Sequence, residues 1–301
     1  MAGPSGAKAA PRYQVLDVPV EGGELRVGVW GEGQTLALAI HGVTLNHAEF
    51  HPLGEAVGAF GRLLAPDLRG RGGSAGLGPP YGLDAHVADI AAVLRQLGAP
   101  PVVLIGHSWG AVVALAVAER HPELVRSLLL VDGGLPPAPA GDRTATHSND
   151  RVLSRLDATY SSLEAYLAPW RAHPGFRDHW TSHVERAFAY DLAGEPPNLR
   201  CTLRPEAFLE DLETTYFADG VVERSLQGLT RPATLVRAGR NMADEPRPQY
   251  PLAAVAPWLA RVAGLGDLLV EGENHYTIVL SASGAATLAA KVQEEISCTT
   301  S

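Results

Sequence analysis

The chain has 301 residues, 24 Lys and Arg against 33 Asp and Glu, and a formal net charge of −9. With 46% hydrophobic and 19% charged residues it fits one large globular domain with an inserted segment, and no basic run or basic helix face marks a nucleic-acid surface. Its two cysteines, Cys201 and Cys298, lie far apart and argue against a disulfide framework or a zinc site.

Residues 1–12 are small, polar and proline-containing, without an apolar core of signal-peptide length, which reads as a disordered lead-in to a cytoplasmic protein. Tyr13–Val20 and Glu24–Trp30 alternate apolar and polar side chains around Glu21-Gly22-Gly23, predicting an antiparallel hairpin. Strand-like runs follow at 35–40, 62–67, 102–105, 127–131, 233–238 and 267–270. Helical patterns separate them at His47–Phe60, Asp84–Leu97 and Trp109–Arg120, and recur at Pro251–Val262 and Gly284–Ile296. Asp84 is placed as the N-cap of its helix, with Val87, Ile90, Ala91, Val93, Leu94 and Leu97 on the core face. Short, nearly continuous apolar strands with helices between them predict a parallel sheet buried on both faces. The most apolar stretch, 102–118, contains His107, Ser108 and two glycines, so it is a buried strand and helix and no membrane partner is expected.

The alternation breaks after Val131. Residues 133–142 are rich in Gly and Pro, and a helical, aromatic-bearing stretch runs to about Leu229. The expected organisation is a lead at 1–12, a core at 13–132 and 231–296, an inserted helical segment at 133–230, and a tail at 297–301.

Gly106-His107-Ser108-Trp109-Gly110 carries the chemistry. An apolar β-branched strand runs straight into it, and an Ala/Val-rich helix follows at once. Such a turn lifts a serine hydroxyl above the sheet, and the helix N-terminus behind it presents free N–H groups to an oxyanion. Together with His41-Gly42 after the third strand, Asp67-Leu68-Arg69-Gly70-Arg71-Gly72-Gly73-Ser74 after the fourth, and the closing Asn274-His275-Tyr276-Thr277-Ile278-Val279, this resembles the α/β-hydrolase superfamily from about residue 13 to 296. The closing turn looks like that of actinobacterial-type members.

The resemblance implies an α/β-hydrolase fold: a mostly parallel central sheet flanked by helices, with a helical cap after the sixth strand that roofs the site. It implies Ser108 as nucleophile, His275 as general base, and the backbone N–H groups of Val43 and Trp109 as oxyanion donors. The acid is open. Family members place it after the strand that follows the cap, in a Gly-x-x-Asp pattern; here Met242 stands at that place. Asp244, two residues on, is the first candidate, with Asp132 after the sixth strand as the alternative and Glu245 behind both. Asp67 is read as a loop organiser.

Pocket candidates are His41, which is also read as fixing its own loop, Trp170, Trp180, Tyr190 and Tyr276. Phe176, Phe188, Tyr216 and Phe217 join the aromatic set of the insertion, most of it expected in the cap's own core. His47, His51, His86, His107 and the remaining cap histidines are read as solvated, pocket-lining or bland. A serine where related epoxide hydrolases and dehalogenases carry aspartate points to an acyl-enzyme. The expected activity is hydrolysis of a small to medium, largely apolar ester or lactone, a macrocyclic lactone of the zearalenone type being one member of that set. Amide or C–C hydrolysis, perhydrolysis, and a very slow or non-enzymatic small-molecule receptor are the alternatives. No metal, nucleotide or flavin signature is present, so no cofactor is expected. The cap and last helices offer surface for a homodimer without demanding one.

Overall fold

β-branched and leucine-rich runs dictate the centre of the molecule. In the computed structural model, which describes residues 11–136, 144–215 and 220–297 (backbone only at 144–148), every residue of the central strand Val102–His107 is buried. Ten strands form in chain order: β1 Tyr13–Val20, β2 Gly23–Trp30, β3 Thr35–Ile40, β4 Arg62–Pro66, β5 Val102–His107, β6 Val125–Val131, β7 Leu192–Ala193, β8 Arg200–Cys201, β9 Ala233–Ala238 and β10 Leu265–Val270. Eight of them make one sheet in the order β1-β2-β4-β3-β5-β6-β9-β10, and β7 and β8 pair separately. β2 runs antiparallel to β1 and β4, and the remaining pairs of the large sheet are parallel. The opening hairpin and the parallel sheet are therefore as the alternation predicts.

The helices are α1 His51–Gly58, α2 Gly82–Gln96, α3 Gly110–Arg120, α4 Thr144–Asp157, α5 Leu163–Ala172, α6 Pro174–Arg177, α7 Ser182–Ala189, α8 Pro205–Glu213, α9 Val221–Gln227, α10 Leu252–Arg261, α11 Thr277–Leu280 and α12 Ala282–Ser297. Alternate strand residues feed opposite cores. Val102 and Leu104 of β5 and Leu128 and Leu130 of β6 face α2 and α3, together with Val87, Ile90, Val113 and Val117. Val103, Ile105, Leu129 and Val131 face the α1 and α12 side, with Leu53, Val57, Leu288 and Val292. Each such fully buried aliphatic side chain contributes about 1.5–3 kcal/mol, which is why a strand apolar on both faces settles at the centre.

Two boundaries differ from the sequence reading. The helical pattern at 47–60 divides into a 3₁₀ turn at His47–Phe50 and α1, with Pro52 in the first turn of α1. α2 begins at Gly82, so Asp84 lies in its first turn and is not the cap. Asp211 Oδ1 accepts from the Gly82 N–H at 2.9 Å and Thr214 Oγ1 from the Leu83 N–H at 3.1 Å. Both belong to α8 or its C-cap, some 130 residues away in sequence. Free N–H groups at a helix start need an acceptor, and here a second helix supplies it.

The segment between β6 and β9 carries α4–α9 and the β7/β8 ribbon. Its Tyr166, Phe176 and Phe188 join the same buried cluster as α1 and α12. Tyr216 and Phe217 lie outside the described residues, as does Cys298. Cys201 is a free thiol whose pKa burial pushes up to about 12. No helix among the described residues is long and apolar enough to cross a membrane.

Candidate active site

β5 ends in a turn that only small flanking residues allow. A Cβ at Gly106 would lie 2.4 Å from Ala111 Cα, and one at Gly110 would lie 2.3 Å from the Ile40 carbonyl oxygen. Between them Ser108 takes φ 54°, a left-handed conformation that side-chain-bearing residues rarely adopt. Its N–H donates to the Val131 carbonyl at 2.8 Å, which ties the turn to the end of β6. Ser108 is half-buried and opens, with His275, into a cavity of about 860 Å³.

Directly after β6, Asp132 is fully buried and also left-handed, at φ 43°. Its N–H donates to the Val236 carbonyl at 2.8 Å, and its Oδ1 accepts from the Ala238 N–H at 3.1 Å. The other oxygen, Oδ2, accepts from His275 Nδ1 at 2.7 Å. An imidazole whose Nδ1–H is held in this way keeps its lone pair on Nε2.

Asp244, the first candidate for the acid, is engaged elsewhere. The loop after β9 closes a turn in which the Asp244 N–H donates to the Asn241 carbonyl at 3.0 Å. That turn aims the carboxylate at Arg240 Nε, at 2.7 Å, with His179 at 3.3 Å and Asn274 Nδ2 at 3.1 Å. Burial alone would raise its pKa, but Arg240, Asn274 and His179 together hold the carboxyl below its ordinary value. Asn274 in turn donates to the Gly175 carbonyl and accepts the N–H groups of Tyr276 and Thr277, so Asp244 braces the histidine loop from outside. Glu245 is exposed and accepts from Asn241 Nδ2 at 2.7 Å.

The remaining candidates separate cleanly. Val43, Trp170 and Tyr276 line the cavity, while Trp109 is fully buried beside it. Among the described residues, neither the Val43 nor the Trp109 backbone N–H has an internal acceptor. His41 is buried behind the lining and is not part of the pocket wall: its Nδ1–H donates to the Gly42 carbonyl and its Nε2 accepts from the Leu68 N–H at 3.0 Å. Burial first, and then the Arg71 cation, push its pKa down to about 3. Trp180 faces away, donating to Glu185 at 3.2 Å. Tyr190 donates to Asp67 Oδ2 at 2.8 Å instead of facing the cavity. Asp67 also accepts from His47 and from the Gly73 N–H, the loop-organising part read for it from the sequence.

Several positioning groups carried no sequence signal. Glu49 is fully buried and accepts from His107 at 3.3 Å and from the Gly42 N–H at 3.2 Å. His107 donates its other N–H to the His275 carbonyl at 2.8 Å. Burial would lower the His107 pKa, but Glu49 holds it above the ordinary value. Arg71, fully buried, joins the Val43 carbonyl to Asp211 of α8. Such pairs are non-local, and each partner taken singly is an ordinary loop or helix residue.

Comparison with known proteins bears on the fold that carries this geometry. The family model described as the α/β-hydrolase fold matches residues 38–193, about half of the chain. Among curated relatives, the chain is 37% identical to Lipase LipV of Mycobacterium tuberculosis over 150 residues, 50% of this chain and 52% of that protein. It is 29% identical to N-formylmaleamate deformylase of Pseudomonas putida over 231 residues, 74% of this chain and 76% of that one. The chain spans about half the length of the first curated relatives it matches. The crystal structure of E-2-(acetamidomethylene)succinate hydrolase superposes with a TM-score of 0.77 over 95% of this chain and 100% of that one, at 22% identity. The eight-stranded sheet of this chain, the left-handed turn at Ser108 between β5 and α3, and these matches lead to one conclusion: the chain belongs to the α/β-hydrolase fold family.

Proposed function

We propose that this protein is a serine hydrolase that cleaves a carboxylic ester or lactone through an acyl-enzyme. The observation that carries the reading is the buried Asp132–His275 hydrogen bond of 2.7 Å beside a strained serine that opens into the same cavity as the histidine. In this mechanism His275 Nε2 takes the Ser108 hydroxyl proton as Oγ attacks the carbonyl carbon. The tetrahedral oxyanion lies between the N–H groups of Val43 and Trp109, and Asp132 stabilises the imidazolium. His275 then protonates the leaving alcohol, and water repeats the cycle to release the acid. In a lactone the alcohol stays tethered and the product is a ring-opened hydroxy acid.

The segment 133–230 acts as the cap in this reading, since Arg155, Trp170, Phe188 and Phe208 contribute to the cavity wall. A cavity of about 860 Å³ suits a small to medium substrate, not a polymer.

The test is the hydrolysis rate across linear p-nitrophenyl esters and lactones of increasing ring size, with Ser108→Ala as control. Fast lactone opening with weak linear-ester turnover would assign a lactonase. The reverse would assign a carboxylesterase. A panel at the level of the control would overturn the ester-hydrolase reading in favour of amide or C–C hydrolysis or a receptor.

A further inference from the structure

Among its described residues the cavity wall carries a charge opposite to that of the protein. The chain carries 33 Asp and Glu against 24 Lys and Arg, yet the described residues lining the cavity include Arg151 and Arg155 and no carboxylate. Random sampling of this surface would favour acidic side chains. Two guanidinium groups in a wall with no carboxylate among its described residues are the pattern of an anion site, although Arg155 also meets Asp191, which is not part of the lining.

Arg155 is the buried member of the pair. Its side chain is 14% exposed and its guanidinium carbon sits 5.1 Å from the centroid of the Trp170 ring, itself part of the wall. Nη1 donates to the Tyr166 hydroxyl at 3.0 Å and, at a longer 3.3 Å, to Asp191 Oδ2. Asp191 is already served by the Tyr166 hydroxyl at 2.8 Å and by Thr202 Oγ1 at 3.1 Å. Nε and Nη2 of Arg155 have no acceptor among the described residues. A guanidinium stays charged at all relevant pH, and its unspent edge presents parallel N–H groups that fit both oxygens of a carboxylate. Its field reaches the catalytic end of the cavity. Burial raises the Tyr276 hydroxyl to about 12, and the Arg155 charge opposes that shift. Arg151 is exposed, one helical turn away on α4, and adds a second cation on the same side. The wall is otherwise largely apolar, with Leu45, Val152, Phe188 and Phe208 beside Trp170.

From this arrangement we propose that the substrate is an anionic ester: its acyl or alcohol half carries a carboxylate, bound by Arg155 with support from Arg151, on an apolar body that fills the cavity. The proposal deepens the serine-hydrolase reading and rests on it for the reaction, though not for the anion site. Arg155 is thereby a specificity-determining residue that touches substrate.

The experiment measures kcat/KM for the monomethyl esters of glutaric, adipic, pimelic and suberic acid against methyl esters of the monoacids of equal carbon count. The expected result is a preference of about tenfold or more for the charged member at one or more lengths, expressed mainly in KM. Arg155→Gln brings that ratio toward one, and Arg151→Gln lowers it by a smaller factor without disturbing the cap interior. Equal or better turnover of the neutral ester at every length overturns the proposal. If no ester in the panel exceeds the Ser108→Ala background, the hydrolase reading fails, and calorimetry decides the anion site alone. Adipate or suberate binding to Ser108→Ala that disappears in Ser108→Ala/Arg155→Gln sustains it, and no binding to Ser108→Ala sinks it.

Discussion

Arg71 donates from Nε to the carbonyl oxygen of Val43 at 2.9 Å, fixing the peptide chain at one candidate oxyanion donor. The same guanidinium lies 5.5 Å from the Trp109 ring centroid, beside the second donor. Its Nη2 meets Asp211 of α8, which also accepts from His86 at 2.8 Å. Trp109 Nε1 donates to Thr215 Oγ1 at 3.0 Å, and Thr215 Oγ1 to the Asp211 carbonyl at 2.6 Å. One buried cation and the C-terminal end of α8 thus hold both sides of the site where, in the proposed mechanism, negative charge would develop. Arg71→Met should lower kcat about tenfold to a hundredfold, short of deleting a donor outright, while KM changes little. The affinity of a boronic acid that mimics the tetrahedral intermediate should fall by a similar factor. A rise in KM with kcat intact would show that Arg71 serves only the packing of α8.

The two aspartates are separable by amide substitution. Asp132→Asn preserves shape but removes the charge facing His275, and should reduce kcat by about four powers of ten. Asp244→Asn weakens contacts to Arg240 and to the Asn274 brace, and should reduce kcat less than about tenfold. Circular dichroism melts establish that both variants are folded. A larger loss at Asp244 than at Asp132 would reverse the assignment of the acid.

Acid should weaken the fold through His41. Its pKa falls from 6.5 in the unfolded chain to about 3 in the fold, because burial first and Arg71 second oppose the cation, while Asp67 only partly offsets them. The unfolded state therefore binds the proton first. The stabilisation from a neutral His41 is complete above pH 6.5 and is lost as pH falls from there toward 3, by up to about 1.4 kcal/mol per pH unit. His51, also lowered to about 3 by burial and Arg186, acts in the same direction. His107, held up by Glu49, acts in the opposite one, stabilising below 6.5 and losing that contribution as pH rises through its folded value. Urea melts between pH 7 and 4.5 should show a shallower pH slope for His41→Asn than for the parent chain. Equal slopes would mean that His41 does not carry the linkage.

Ser108 holds backbone strain where a hydroxyl is required. At φ 54° glycine is at ease, so Ser108→Gly should abolish turnover and raise stability by about 1 kcal/mol, read as a higher Tm. Ser108→Ala keeps the Cβ and should abolish turnover with a smaller gain. A destabilised Ser108→Gly protein would show that the turn is held by contacts of the side chain and not against its strain.

The elements that local patterns encode were legible in advance. The order of the large-sheet strands with α2, α3, α10 and α12, the hairpin around Gly22-Gly23 and the strand-turn-helix at Ser108 follow from period, glycine placement and the run of apolar residues, and the late histidine from the family resemblance. β7, β8 and the individual helices between β6 and β9 had no such local mark. Period, glycine placement and apolar runs are properties of a few consecutive residues, so the chain itself determines what they encode. What lies across the sheet is different. Asp132 or Asp244 could each end a strand near His275, and the choice depended on which way a five-residue turn after β9 pointed a carboxylate. The caps of α2, the Arg71 bridge and the Glu49–His107–His275 brace join residues between roughly 30 and 170 positions apart. His41, Trp180 and Tyr190 looked like pocket residues by neighbourhood, but each found a nearer polar partner once the loops closed. The chain determined that a serine would stand above a parallel sheet. Only tertiary packing, which matches buried donors to buried acceptors over long sequence distances, decided which acid meets the histidine and that two arginines line the cavity of an acidic protein.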